Sequence, residues 1–209
     1  CYHLTKIRDY FNIIKNFYTW ESMRVGEMYC YKKEYLPTPF VKSILHLYES
    51  KTKLKGVEGK EVEYLNSKEM LNSCYGMSVT NPLRDEFTYN GEWDINSMTA
   101  EQKQELLYKY NTSKNRFLFY PWGIFVTAYA RRNLFTGIHE AKDDYIYSDT
   151  DSIKIMNGKA HEAYFKAYNM QVQMKLRAAC KYHGLPFSLC EPQTIKGITK
   201  TLGVWDFEG

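Results

Sequence analysis

Two carboxylates two residues apart, Asp149 and Asp151, stand at the centre of Tyr145-Ile146-Tyr147-Ser148-Asp149-Thr150-Asp151-Ser152-Ile153-Lys154-Ile155. Alternating bulky residues on both sides read as a short β-hairpin with an acidic tip, which would set both carboxylates on one face. Carboxylates held on rigid strands make a hard oxygen site of the kind Mg2+ shares with substrate phosphates. An Asp-rich β-turn would use the same letters, because Ser, Asp and Thr all favour turns, so the pair needs support from elsewhere in the chain.

That support comes from Lys68-Glu69-Met70-Leu71-Asn72-Ser73-Cys74-Tyr75-Gly76. In a helix from about Glu61 to Tyr75, Lys68, Asn72 and Tyr75 fall at i, i+4 and i+7 on one stripe, with Leu65, Met70 and Leu71 expected to face inward. Ammonium, amide and ring suit a nucleotide, the ammonium on phosphate and the ring under a base. A solvated helix face with an amphipathic Tyr at its edge fits the same spacing. Upstream, Thr38-Pro39 reads as a cap and first helical position, and Phe40, Ile44, Leu47 and Tyr48 give that helix a buried face. Its end is basic, with Lys51, Lys53 and Lys55 ahead of a turn at Gly56 and Gly59.

The remaining elements must position these residues. Leu4, Ile7, Phe11, Ile14 and Phe17 predict an amphipathic helix from Thr5 to about Tyr18, and Glu21 to Tyr31 reads as a strand broken near Gly26. Residues 81–120 read as an inserted subdomain. There Asn90-Gly91 marks a hairpin between aromatic arms, and Thr99-Ala100-Glu101-Gln102 is a capping box opening a helix to about Tyr110. Gly123 to Leu134 is apolar and ends in Arg131-Arg132, a buried helix delivering arginines to an edge. His161 to Tyr182 is a long amphipathic helix stopped by Gly184 and Pro186. Helices and strands in mixed order predict an α+β fold.

With 209 residues and 44% hydrophobic content, the chain can bury a core and is no disordered tail. A net charge of +4 permits a polyanionic partner without requiring one. The five Cys (Cys1, Cys30, Cys74, Cys180, Cys190) include no Cys-x-x-Cys pair and read as reduced thiols of an intracellular protein. No apolar run reaches a membrane span, and no signal-peptide layout opens the chain. It starts at Cys1 and ends at Gly209, which reads as a piece of something longer.

Taken in order, Lys68-x-x-x-Asn72-Ser73-x-Tyr75-Gly76 and Tyr147-Ser148-Asp149-Thr150-Asp151-Ser152 resemble motifs B and C of family B DNA polymerases, most nearly the protein-primed branch of phages and linear plasmids. Between them, Thr127-Ala128-Tyr129-Ala130-Arg131 is similar to that family's primer-binding Thr-x-x-Ala-Arg element. Beyond them, Lys200-Thr201-Leu202-Gly203-Val204-Trp205-Asp206-Phe207-Glu208 resembles the segment ahead of its Lys-x-Tyr motif.

The resemblance implies a partial palm (an antiparallel sheet with helices on one face), helical fingers and a small insertion. Residues 1–36 would be an N-terminal palm part, 37–77 the fingers, 78–120 an insertion like the family's second terminal-protein region, and 121–209 the palm with motif C. Asp149 and Asp151 would bind Mg2+ and act catalytically with Lys68, which would meet the triphosphate. Asn72 and Tyr75 would shape the base-pair pocket, with Lys51, Lys53 or Lys55 as a second basic position. Thr127, Arg131 and Arg132 would contact the primer strand, and Gly76 and Gly123 would let DNA approach the backbone. The implied partners are primer-template DNA, a deoxynucleoside triphosphate and a terminal-protein primer, in the cytoplasm of a bacterial host.

Departures from the pattern matter. Nothing in residues 1–67 fits motif A, Tyr35-Leu36-Pro37 being an echo without its Asp, and exonuclease carboxylates and thumb are missing too. The two-metal site would then be complete only with that missing Asp, and this stretch alone would be inactive or nearly so. A palm lacking that strand would expose a sheet edge, inviting self-association or cover by residues 21–31 or the tail near Trp205. Rival readings are a non-catalytic nucleic-acid-binding remnant of a polymerase and a sugar-nucleotide transferase using Asp-x-Asp.

Overall fold

The computed structural model describes residues 31–32, 34–114 and 119–208. The helix expected from Thr5 to Tyr18 and the strand from Glu21 lie outside the described residues, apart from Tyr31. Within them the protein is mixed α+β: five α-helices and two separate two-stranded antiparallel sheets.

Helix α1 (Thr38–Leu54) begins one residue earlier than the Thr-Pro signal suggests, with Pro37 in the cap position. Thr38 does not cap the helix. Its hydroxyl lies 2.9 Å from His183 Nδ1 and pins the start of α1 to the far end of α5 (Glu162–His183). Gly184 ends α5 in the left-handed conformation at φ +64°, where glycine has no Cβ to clash, and Leu185 N–H then reaches the Cys180 carbonyl at 2.9 Å. The chain folds back through a 3-10 turn, Phe187–Cys190, so that Leu45, Cys180, Leu189 and Cys190 form a buried cluster between α1, α5 and that turn. Removing such side chains from water is the main source of stability here.

Helix α2 (Glu61–Ser78) packs on α1, and its less exposed residues Tyr64, Ser67, Leu71, Cys74 and Ser78 recur at steps of three and four. Leu65 and Met70, expected inward, are 48% and 61% exposed. Leu71 is half-buried as expected, but its stripe is offset from Leu65 and Met70 and includes Ser67, Cys74 and Ser78, small residues that carry little hydrophobic signal.

Residues 81–114 hold β1 (Glu86–Tyr89), β2 (Trp93–Asn96) and α3 (Ala100–Thr112). Gly91, at φ +92°, turns the hairpin, and Thr99 and Gln102 form the expected reciprocal capping box at the start of α3. The pairs Phe87–Ile95 and Tyr89–Trp93 share one face of the ribbon, leaving Phe87 66% and Trp93 74% exposed.

Helix α4 (Tyr120–Ala141) runs two turns beyond Leu134, where the sequence pattern placed its end. Its length matters because it is the common support of two other elements. At Gly123 a Cβ would stand 2.2 Å from Val79 Cγ1, so only glycine lets the end of α2 approach there. At Gly137 a Cβ would meet Trp205 Cζ2 at 3.2 Å and Ile153 Cδ1 at 3.3 Å, where the acidic hairpin and the C-terminal segment close on the helix. The two points lie about 21 Å apart along α4 at 1.5 Å per residue.

The C-terminal segment does not cover a strand edge. Trp205 is held on α5 by Asn169, and both small sheets stay two-stranded among the described residues. No helix among those residues is long and apolar enough to cross a membrane.

Candidate metal and nucleotide site

Strands β3 (Tyr145–Asp149) and β4 (Ser152–Ile155) form the expected hairpin, with a bulge between Tyr145 and Tyr147. Opposed residues share a face, and successive pairs alternate. Ser148–Ile153 is therefore the half-buried side, with Ile153 on Gly137 of α4, whereas Tyr147–Lys154 and Asp149–Ser152 form the exposed side. This alternation places the Asp149 carboxylate on the open face and anchors the hairpin by the other.

Asp151 differs from expectation. It belongs to the turn, following Thr150 at φ +49°, so the alternation that would put it on the same face as Asp149 stops one residue short. A β-branched residue in the left-handed region is strained, and such strain concentrates at functional sites. Thr150 Oγ1 donates to Asp149 Oδ1 at 2.9 Å, and both carboxylates are solvent-exposed.

The base of the hairpin is held as firmly as its tip is open. Met156 N–H donates to the Asp144 carbonyl at 2.7 Å, Asn157 Nδ2 donates to Asp144 Oδ1 at 2.8 Å, and His161 Nε2 lies 2.9 Å from Asp144 Oδ2. These bonds, His161 first and Asn157 second, hold the Asp144 carboxyl below the usual carboxylate range. Glu140 of α4 approaches the other face of His161, at 4.0 Å from Nδ1. Lys142 before β3, Thr150 at the tip and Asn157 after β4 are the non-glycine residues with positive φ among those described, and all three bound this hairpin. The sequence reading passed over the Asp144–Asn157–His161 brace, although Asn157-Gly158 is a turn signal that could have marked it.

Lys68, Asn72 and Tyr75 form an exposed stripe on α2, and Gly76 beside them has open space where a Cβ would be. The basic residues at the end of α1 divide. Lys51 is half-buried, Lys53 pairs with Glu49 at 2.6 Å, and Lys55 is exposed. On α4, the Thr127 hydroxyl donates within its own helix, to the carbonyls of Gly123 (3.2 Å) and Ile124 (3.0 Å). Arg131 is exposed, while Arg132 is half-buried and turned toward Tyr164 and Tyr168 of α5, whose phenols its charge lowers against the larger effect of burial. Gly123 differs from its expected role, since its close approach is to Val79 and Ser78 rather than to an open surface.

Compared with protein-family models, curated proteins and solved structures, the chain matches none.

Chemically, Asp149 and Asp151 offer oxygen donors alone, which fits a hard divalent cation such as Mg2+ rather than a thiolate-preferring metal. Two carboxylates are part of a two-metal set, and the described residues hold no group of three His, Cys, Asp or Glu placed to bind a metal. The structure brings Thr127, Arg131 and Arg132 onto α4 between the points that anchor α2 and the hairpin. It leaves Lys53 paired with Glu49.

Proposed function

We propose that the chain is the fingers and palm portion of a template-directed DNA polymerase of family B type, with primer-template DNA and deoxynucleoside triphosphates as its ligands. The observation that carries this reading is the arrangement along α4. The acidic hairpin stands at one end, the end of the Lys68–Asn72–Tyr75 helix at the other, and the exposed Arg131 between them. Nucleotidyl transfer asks for these parts: carboxylates for divalent ions, a cation for the leaving pyrophosphate, a ring beside the base pair and a cation on the primer backbone.

In this reading Lys68 neutralises pyrophosphate as it leaves, Tyr75 and Asn72 border the nascent pair, and Arg131 holds the primer by its phosphates. Asp149, with the turn residue Asp151, would hold Mg2+, and the bound ion would supply the positive charge that an in-line displacement needs. A further carboxylate from a neighbouring strand would complete that set. The open face of the hairpin, with Asp149 on it, is the surface toward which such a strand would bring it.

The test is magnesium-dependent primer extension by the chain with a motif A strand supplied on the same polypeptide or as a separate peptide. Template-coded incorporation, abolished by Asp149→Ala and by Asp151→Ala, is the expected result. A folded, supplemented protein that binds DNA yet incorporates nothing would replace this reading with that of a nucleic-acid-binding module. A protein that binds a sugar nucleotide and not DNA would replace it with that of a glycosyl transferase.

A further inference from the structure

Cys180, in the last turn of α5, and Cys190, at the end of the following 3-10 turn, bring their sulfurs to 3.4 Å in the buried cluster. Both are free thiols. Beside them lies a cavity of about 180 Å³ walled by Leu36, Val41, Leu45, Leu176 and Leu202 among others, with no polar side chain on it. An apolar space of about 150 Å³ is enough to accept a ring the size of benzene.

We propose that Cys180, Cys190 and the cavity they line form a site for a trivalent arsenical carrying one small aryl group, held through both sulfurs. The sulfur separation selects the bridging atom. A disulfide needs the sulfurs at ~2.05 Å. A linear two-coordinate soft metal would spread them to roughly twice a metal–sulfur bond of ~2.3 Å. Two bonds of about 2.3 Å meeting near a right angle, as at pyramidal arsenic, span about 3.3 Å, which the pair already offers. The apolar cavity takes the aryl ring, which would otherwise remain in water.

Burial, and then the neighbouring Cys180, push the Cys190 thiol up to about 12, so it stays protonated and the reaction with an arsenical releases its proton. With phenylarsine oxide, two S–H bonds and the arsenic–oxygen bond break and two arsenic–sulfur bonds form. Both protons leave with the oxygen as one water, and no electron changes hands.

The experiment uses phenylarsine oxide on the folded 209-residue chain, followed by intact mass measurement, thiol titration and peptide mapping. One phenylarsine per chain, joining the peptides that contain Cys180 and Cys190 and removable by 2,3-dimercaptopropanol, is expected. Cys180→Ser or Cys190→Ser should weaken binding about a hundredfold, since the second link then loses its high effective concentration. Methylarsine oxide should bind about tenfold more weakly than the phenyl compound, for want of the buried ring. If both thiols stay titratable in the folded protein but react in urea, there is no such site. Equal affinity of the two arsenicals overturns the role given to the cavity. Should either serine variant fail to fold, peptide mapping of the unaltered chain still decides, because label confined to Cys1, Cys30 or Cys74 refutes the proposal.

Discussion

Asn169 of α5 holds Trp205 as a neighbouring strand would, its Nδ2 donating to the Trp205 carbonyl and its Oδ1 accepting from the Trp205 N–H, each at 2.8 Å. A side chain thereby satisfies both backbone groups of a residue outside any sheet, and the Trp205 ring is carried onto Gly137 beside Ile153. Each bond of this kind contributes about 1 kcal/mol net, and a half-buried group left unpaired costs more. Asn169→Ala should therefore destabilise the fold by about 2 kcal/mol, measured as a lower urea midpoint with unchanged slope. Asn169→Asp should cost nearly as much, because an ionised carboxylate cannot donate to the Trp205 carbonyl.

Gly123→Ala would put a methyl 2.2 Å from Val79 Cγ1 and 2.7 Å from Ser78 Oγ. Overpacking of this kind costs about 1–3 kcal/mol. The same substitution combined with Val79→Ala should recover at least about 1 kcal/mol relative to the sum of the two single changes. A double-mutant cycle by chemical denaturation measures this, and simple additivity would show that the helices do not meet there.

Thr150, at φ +49°, occupies a region that costs an ordinary residue roughly 1–2 kcal/mol and that Asn tolerates. Thr150→Asn should raise stability by about 1 kcal/mol despite losing the contact to Asp149. Thermal denaturation of the two proteins side by side is sufficient, and a less stable variant would mean that the turn is relaxed as it stands.

Tyr164 supplies a pH dependence. Burial first, then Tyr168 and Glu140, raise its phenol from 10.0 to about 12, against a lowering by Arg132. A group whose folded value is raised contributes stability that is complete below pH 10 and lost as pH climbs toward 12, because the unfolded chain ionises first. The group is only about half buried, so the loss should be no more than about 1–2 kcal/mol. Its hydroxyl has no hydrogen-bond partner among the described residues. Tyr164→Phe should thus be neutral or stabilising at pH 7, and its advantage over the unaltered protein should grow between pH 10 and 12 in urea titrations.

Arg131, exposed on α4, should track DNA phosphate. Arg131→Ala would then reduce the slope of log affinity against log salt by roughly one. Fluorescence anisotropy with a primer-template duplex across a salt series reads this directly, and an unaltered slope would exclude Arg131 from the primer path.

The sequence exposed local punctuation far better than distant contact. The capping box at Thr99, the Asn90-Gly91 hairpin, the Gly184 stop and the acidic hairpin all lie where their residues indicate, because each depends on neighbours within a few positions. On the inward face of α2 only Leu71 of the three expected residues is half-buried, because Ser67 and Cys74 lie on its stripe while Leu65 and Met70 stay exposed. The end of α4 was placed too early because a half-buried helix continues through Thr136, Gly137 and His139, which carry no strong apolar period. At the candidate site, Asp149 was legible from alternation, whereas the turn that redirects Asp151 depends on one backbone angle. The Cys180–Cys190 contact needed the fold itself, since ten residues and a helix end separate the two in sequence.

Helix α4 also fixes a phase. Gly123 and Gly137 are fourteen positions apart, which at about 100° per residue brings them within roughly 40° of the same side of the helix. The end of helix α2 and the acidic hairpin therefore dock on one flank of a single rod, their mutual angle set by residue count. One residue inserted or deleted between the two glycines would swing one partner about 100° around the rod relative to the other and shift it only 1.5 Å along it. The separation would scarcely change while the alignment was lost, so this stretch of α4 should tolerate substitution of its exposed side chains far more readily than any change in length.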